Sequence, residues 1–215
     1  MKPWSLVGAA LYASMLSIPI VGTAAAAPVE TVRIDTTALA GTSGYLAFDL
    51  IGGSVIANNT ISISAFASDA TLGAVTLTGS ASGSLQPGPA VLGDSNFFNE
   101  LLQQVVFGNA LTFDLGVSSQ YGGAGFPDQF SFYLLDGTQN PYLTTDASGA
   151  NSLFGITLDS ASPTPAVYLS DFATATVTPQ APPTGVPEPA SLWLLLACAP
   201  GCARALRSGR RRRGA

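Results

Sequence analysis

Histidine is absent from this 215-residue chain, and the other residues of nucleophilic and cationic chemistry are nearly missing from its middle. Between Glu30 and Asp171 there is no cysteine and no lysine, and Arg33 is the only base. These absences exclude Ser-His and Cys-His nucleophiles, lysine Schiff bases, imidazole or thiolate metal sites and nearly every cationic phosphate clamp. The two cysteines, Cys198 and Cys202, sit near the C-terminus, so no disulfide staples the middle of the chain. Tryptophan is confined to Trp4 and Trp193. Charge is also scarce, at 10% of residues against about 25% in ordinary soluble domains.

What charge there is divides by sign. Twelve of the 13 acids lie between Glu30 and Asp171, where with Arg33 they leave a net charge of −11. A body this acidic repels phosphate backbones and anionic lipid, so no nucleic-acid partner is expected. Six of the eight bases crowd the last dozen residues: Arg204, Arg207, Arg210, Arg211, Arg212 and Arg213.

The first 26 residues have the three parts of a secretory signal peptide. Lys2 supplies the positive start, residues 6–21 the apolar run, and Ala24 and Ala26 the small residues of an A-x-A cleavage pair. Pro28 disfavours a cut directly before it, because its ring fixes φ and removes the N–H. Cleavage is therefore expected after Ala26. At the other end, residues 179–185 form a Pro-rich linker, extended by its composition. After it come "VPEP" at 186–189, an apolar stretch at 190–203 and the arginine cluster at 204–213. Arginines flanking an apolar helix stay on the cytoplasmic side and halt export. The 14 apolar residues span about 21 Å as a helix, against a hydrocarbon core of about 30 Å. Pro200-Gly201 kinks it further, and the anchor is a short one.

This arrangement resembles the PEP-CTERM sorting signal of Gram-negative bacteria, carried here by Val186, Pro187, Glu188 and Pro189. The resemblance implies an exosortase, a membrane cysteine transpeptidase, as processing partner. It also implies an inner-membrane intermediate held transiently by the tail helix, and delivery to the cell surface or extracellular matrix.

Residues 27–178 read as one all-β body. Period-two alternation between Gly-, Asn- and Pro-marked turns recurs in "VETVRID", "GYLAFDLI", "NTISISAF", "LGAVTLTG", "NALTFDLGV", "QFSFYLLD", "LFGITLD" and "AVYLSDFATATV". About eight strands at this spacing predict an antiparallel β-sandwich, jelly-roll-like in arrangement. Leu111, Phe113, Leu115 and Val117 should share its core face. "GSASGS" suits a tight turn. In "GDSNFFNELLQQVVFG" the spacing of Phe97, Phe98, Leu101, Leu102 and Val105 predicts one short helix at about 96–103, laid over an end of the sandwich.

The body is also similar to one group of PEP-CTERM exported proteins in "IDTTALAGTSGYLAFDLI", "GDSNFFNELLQQVVFG", "LTFDLGV" and "FPDQFSFYLLD". That resemblance implies a single exported β domain and brings no catalytic residues. No enzyme is expected. Glu30 and Glu100 are the only glutamates of the body, and its ten aspartates announce no pair by spacing. These dispersed acids read first as a solubilising surface, with no cofactor or metal expected; calcium is the one ion they could take, since it accepts hard oxygen ligands from loops. The candidates are Asp94 in "GDSN" and Asp128 in "FPDQ", neither within a recognised calcium-loop motif. Extracellular polysaccharide is the other candidate partner, with Tyr121, Phe126 and Tyr142 as a small stacking platform.

Overall fold

The computed structural model describes residues 29–53, 56–118, 125–158 and 163–180. The expected signal peptide with Ala24 and Ala26, the sorting motif, the tail helix and the arginine cluster lie outside the described residues.

Twelve strands follow one another: β1 (Val29–Asp35), β2 (Ser43–Ile51), β3 (Thr60–Ser68), β4 (Thr71–Thr78), β5 (Ala81–Gly83), β6 (Ala90–Gly93), β7 (Phe98–Val106), β8 (Ala110–Ser118), β9 (Gln129–Asp136), β10 (Phe154–Thr157), β11 (Ala166–Val167) and β12 (Thr174–Pro179). They form two six-stranded sheets, in the orders β12-β1-β8-β3-β6-β5 and β11-β10-β9-β2-β7-β4. Neighbouring strands run antiparallel in both. The described residues are all-β, and the two sheets enclose one core.

Alternation sets which face is buried. Strand β8 buries Leu111, Phe113, Leu115 and Val117 in strict period two, as its sequence predicts. Phe48 of β2 and Phe132 of β9 are register partners in one sheet. Phe113 enters from the other, with ring centroids 5.4 Å from Phe48 and 5.8 Å from Phe132. Phe154 stacks on Phe132 at 5.4 Å. Offset and edge-on aromatic pairs add about 0.5–1.5 kcal/mol each beyond the area they bury. Gly44 of β2 is a position where no side chain fits: a Cβ there would lie 2.2 Å from the Leu135 carbonyl oxygen.

The predicted helix at 96–103 is a strand, and among the described residues the only helical element is a 3-10 turn, Thr37–Leu39. The inward positions of β7 are Asn99, Leu101, Gln103 and Val105, two of them polar, while Phe98 and Leu102 face outward. Polar residues on the core face and apolar ones outside mimic a helical stripe. The buried amides are satisfied as burial requires. Asn99 Nδ2 donates to the carbonyls of Asn96 (2.7 Å) and Leu50 (3.0 Å), and its Oδ1 accepts the Ser80 N–H at 2.8 Å. Gln103 Nε2 donates to the Gly73 carbonyl at 2.9 Å, inside a register shift of β4 between Leu72 and Val75.

Two smaller expectations also change. "GSASGS" is not only a turn, because Ala81–Gly83 pairs with β6 as an edge strand. The run 166–177 splits into β11 and β12, which belong to different sheets. Ser170 makes the break: its hydroxyl donates to the Leu143 carbonyl (2.8 Å) and accepts the Phe172 N–H (3.2 Å), a local turn that carries the chain between sheets.

Candidate functional site

The two aspartates singled out from the sequence meet in space. Asp94 follows the last residue of β6 and Asp128 precedes the first of β9, so the loops at one end of the two sheets carry both. Asp94 is 9% exposed and Asp128 0%. One Asp94 oxygen, Oδ2, accepts the backbone N–H groups of Asn58 (3.0 Å) and Asn59 (2.9 Å). Asn59 Nδ2 donates to Asp128 Oδ2 at 2.8 Å, and Asp128 Oδ1 accepts the Gly53 N–H at 2.7 Å. Asn59 thus bridges the two carboxyls.

The backbone closes in because residues 52 and 53 are glycines. A Cβ on Gly52 would lie 2.7 Å from the carbonyl oxygens of Asp94 and Asn96, and one on Gly53 would lie 2.7 Å from that of Phe126. Any side chain there would push the three loops apart.

Burial holds the Asp94 carboxyl above the ordinary carboxylate range, against the opposing pull of the Asn58 and Asn59 N–H donors. Asp128 adds to the rise through a side-chain hydrogen bond and its charge. Asn58 Oδ1 is enclosed without a hydrogen-bond partner. Both Asp128 oxygens and Oδ2 of Asp94 accept N–H donors, so the two carboxyls hold the three loops together. No cluster of three or more His, Cys, Asp or Glu occurs among the described residues. A cation here would draw on amide and main-chain oxygens as well as on the two carboxylates.

A second carboxyl pair carries no sequence signal, because its members are far apart in the chain. Asp49 of β2 and Glu100 of β7 are direct register partners on the outward face of their sheet. The same row continues to Thr78 on one side and to Ser131 and Gly155 on the other. Burial first, then the charge of Glu100, raises the Asp49 carboxyl to about 7. Burial also raises Glu100. Asp49 Oδ1 is enclosed and has no hydrogen-bond partner. Like charges directly opposite on a sheet repel, so this pair favours holding a proton.

Two of the three residues expected in a stacking platform stand at opposite ends of β9. Phe126, 81% exposed, stands beside Gly53 at the Asp128 end. Tyr142 lies at the opposite end, bonded through its N–H to the Leu134 carbonyl (3.0 Å) and packed on Phe107 and Phe172. Tyr121 falls outside the described residues. Next to Tyr142 is a groove of about 490 Å³ lined by Leu143, Thr144, Thr145, Leu169, Ser170 and Asp171.

Comparisons with protein-family models, with curated proteins and with solved structures find no match.

Proposed function

We propose that this chain is an exported, non-enzymatic protein of the cell surface or extracellular matrix, sorted by an exosortase through its C-terminal tail. Its body is read as a jelly-roll-like sandwich between a signal peptide and a sorting helix. The order of signals supports this reading: a cleavable leader, an acidic body, a Pro-rich linker, Val186 to Pro189, an apolar run and an arginine cluster.

The structural observation that carries the proposal is the pairing of the body's first and last strands. Strand β1 starts at Val29, just after the expected cut, and β12 ends at Pro179, ahead of Val186. The two are neighbours in one sheet, with Glu30 opposite Pro179. Both processing segments therefore leave from one place on a body whose strands all lie between them. A transpeptidase can remove the tail without unpairing any strand, and the loops bearing Asp94 and Asp128 would face the membrane until it does.

The test is replacement of Pro187, Glu188 and Pro189 by alanine in the native host. Unprocessed chain should accumulate in the membrane fraction; an unchanged mass and distribution would overturn the proposal.

A second reading, a calcium- or polysaccharide-binding module, is favoured by the meeting of Asp94 and Asp128 for the ion. For the polysaccharide, it rests on the hydroxyl- and Asp171-lined groove beside Tyr142. The two readings are compatible, since a sorted surface protein can carry either ligand.

A further inference from the structure

We infer that the free edge of β4 is a self-association surface, through which two copies of this chain join their sheets by antiparallel pairing about a two-fold axis at Thr76. Strand β4 closes one edge of its sheet. Its eight residues, TLGAVTLT, contain no charge and no proline, two of the usual protections of an exposed edge, and its one bulge, between Leu72 and Val75, leaves Val75 to Thr78 regular. Its core-side residues are also incompletely covered. Val75 and Leu77 sit opposite Gln103 and Leu101 on the inward face of β7, yet remain 39% and 40% exposed. The facing edge strand of the other sheet, β5, has only three residues and shields little of them. At the opposite edge, by contrast, Ala175 and Val177 of β12 pack against the core. Phe98 and Val106 of the neighbouring β7 are exposed on the outer face and widen the apolar surface around β4.

Three features commit the occupant to a second copy. The first is charge. The body carries a net −11 between Glu30 and Asp171, so a like copy is best tolerated at an uncharged stretch. The second is register. Gln103 ties up the carbonyls of Gly73 and Ala74 inside the bulge, which leaves Val75 to Thr78 as the regular part of the edge. Face-matched pairing centred on Thr76 sets Thr76 against Thr76, and Leu77 of each copy against Val75 of the other. The uncovered apolar residues then meet on one face and the threonines on the other, both favourable cross-strand pairs. The third is repulsion. Glu100 is level with Thr78, one strand in from the edge. In this register the two Glu100 are offset by about 13 Å along the strands and about 14 Å across them. That separation exceeds the screening length of about 8 Å at physiological salt.

The test uses protein recovered from cells expressing the full-length chain, followed by sedimentation velocity over a concentration series. The wild type should sediment as a dimer with a concentration-dependent monomer fraction. The double variant Val75→Lys/Leu77→Lys should be monomeric with an unchanged far-ultraviolet circular dichroism spectrum, because it sets lysine opposite lysine twice. A second variant is independent of any folding defect: Thr76→Cys, in a background with Cys198→Ala and Cys202→Ala, should form a disulfide-linked dimer on mild oxidation. Thr178→Cys on the β12 edge should not. A wild type that is monomeric throughout the series would overturn the inference. So would a dimer that survives the double lysine substitution, or cross-linking at Thr178→Cys in place of Thr76→Cys.

Discussion

The backbone N–H of Gln180 donates to the carbonyl oxygen of Val29 at 2.8 Å, so the last described residue of the body is clasped to the first. Six further register pairs, from Glu30 with Pro179 to Asp35 with Thr174, continue the clasp along β1 and β12. The described ends of the body are thus part of its fold.

Truncation should show that boundary. Ending the chain after residue 180 should leave the thermal midpoint of the body within about 2 °C of the longer protein. Ending it after residue 173 removes β12, exposes the Val32 and Ile34 side of β1, and should lower the midpoint by roughly 10 °C, at about 2–4 °C per kcal/mol for a body of this size. Differential scanning calorimetry of the two truncations decides the matter. Equal midpoints would mean that β12 contributes nothing to the fold.

Stability should depend on pH with two opposite signs. Asp49 binds its proton more tightly when folded, its carboxyl being raised to about 7 from an ordinary 3.8. Its contribution is complete below the ordinary value and is lost as pH rises through about 7. Glu100 and Asp94 are shifted in the same direction. Asp69 and Asp146 are lowered to about 2, and their contribution, present above 3.8, is lost as pH falls through about 2. For Asp69 the cause is the backbone and side-chain N–H groups of Asn109 and Ala110. For Asp146 burial opposes the shift, and hydrogen bonds from Ser152 and Ser148 outweigh it. Maximum stability is therefore expected on the acid side of neutrality. Asp49→Asn should flatten the fall between pH 5 and 7, an effect on the order of 3 kcal/mol at most. Urea titrations at a series of pH values measure it, and parallel curves for wild type and variant would contradict the assignment.

Much of this body was legible in its sequence, and what was not has physical causes. Strand β8 announces itself because each of its inward positions is apolar and each outward one polar or small. Strand β7 conceals itself because Asn99 and Gln103 occupy inward positions, where their amides serve the Ser80 turn and the β4 bulge. A tertiary hydrogen-bonding task overrides the local pattern there. Strands β5 and β6, of three and four residues, are too short to show a period. Asp94 and Asp128 could be picked out as loop acids, but their meeting depends on where three loops converge on Gly52 and Gly53. Asp49 and Glu100 gave no signal at all, since their proximity is a fact of register.

Calcium should separate the two carboxyl pairs. If the ion binds where Asp94 and Asp128 meet, calcium at about 100 times its dissociation constant should stabilise the fold by about 2.7 kcal/mol. That corresponds to a rise of roughly 5–10 °C in the midpoint. The rise should disappear with chelator and in Asp94→Asn or Asp128→Asn, and should persist in Asp49→Asn. A wild-type midpoint indifferent to calcium would remove the metal reading.

The most direct test of the central claim is the intact mass of the protein recovered from its native host, with its terminal peptides mapped. The expected mass corresponds to a chain starting at Ala27 and ending near Val186 to Pro189. Tryptophan emission should be lost with Trp4 and Trp193. Recovery of a chain that still carries residues 190–215 would contradict sorting through the tail.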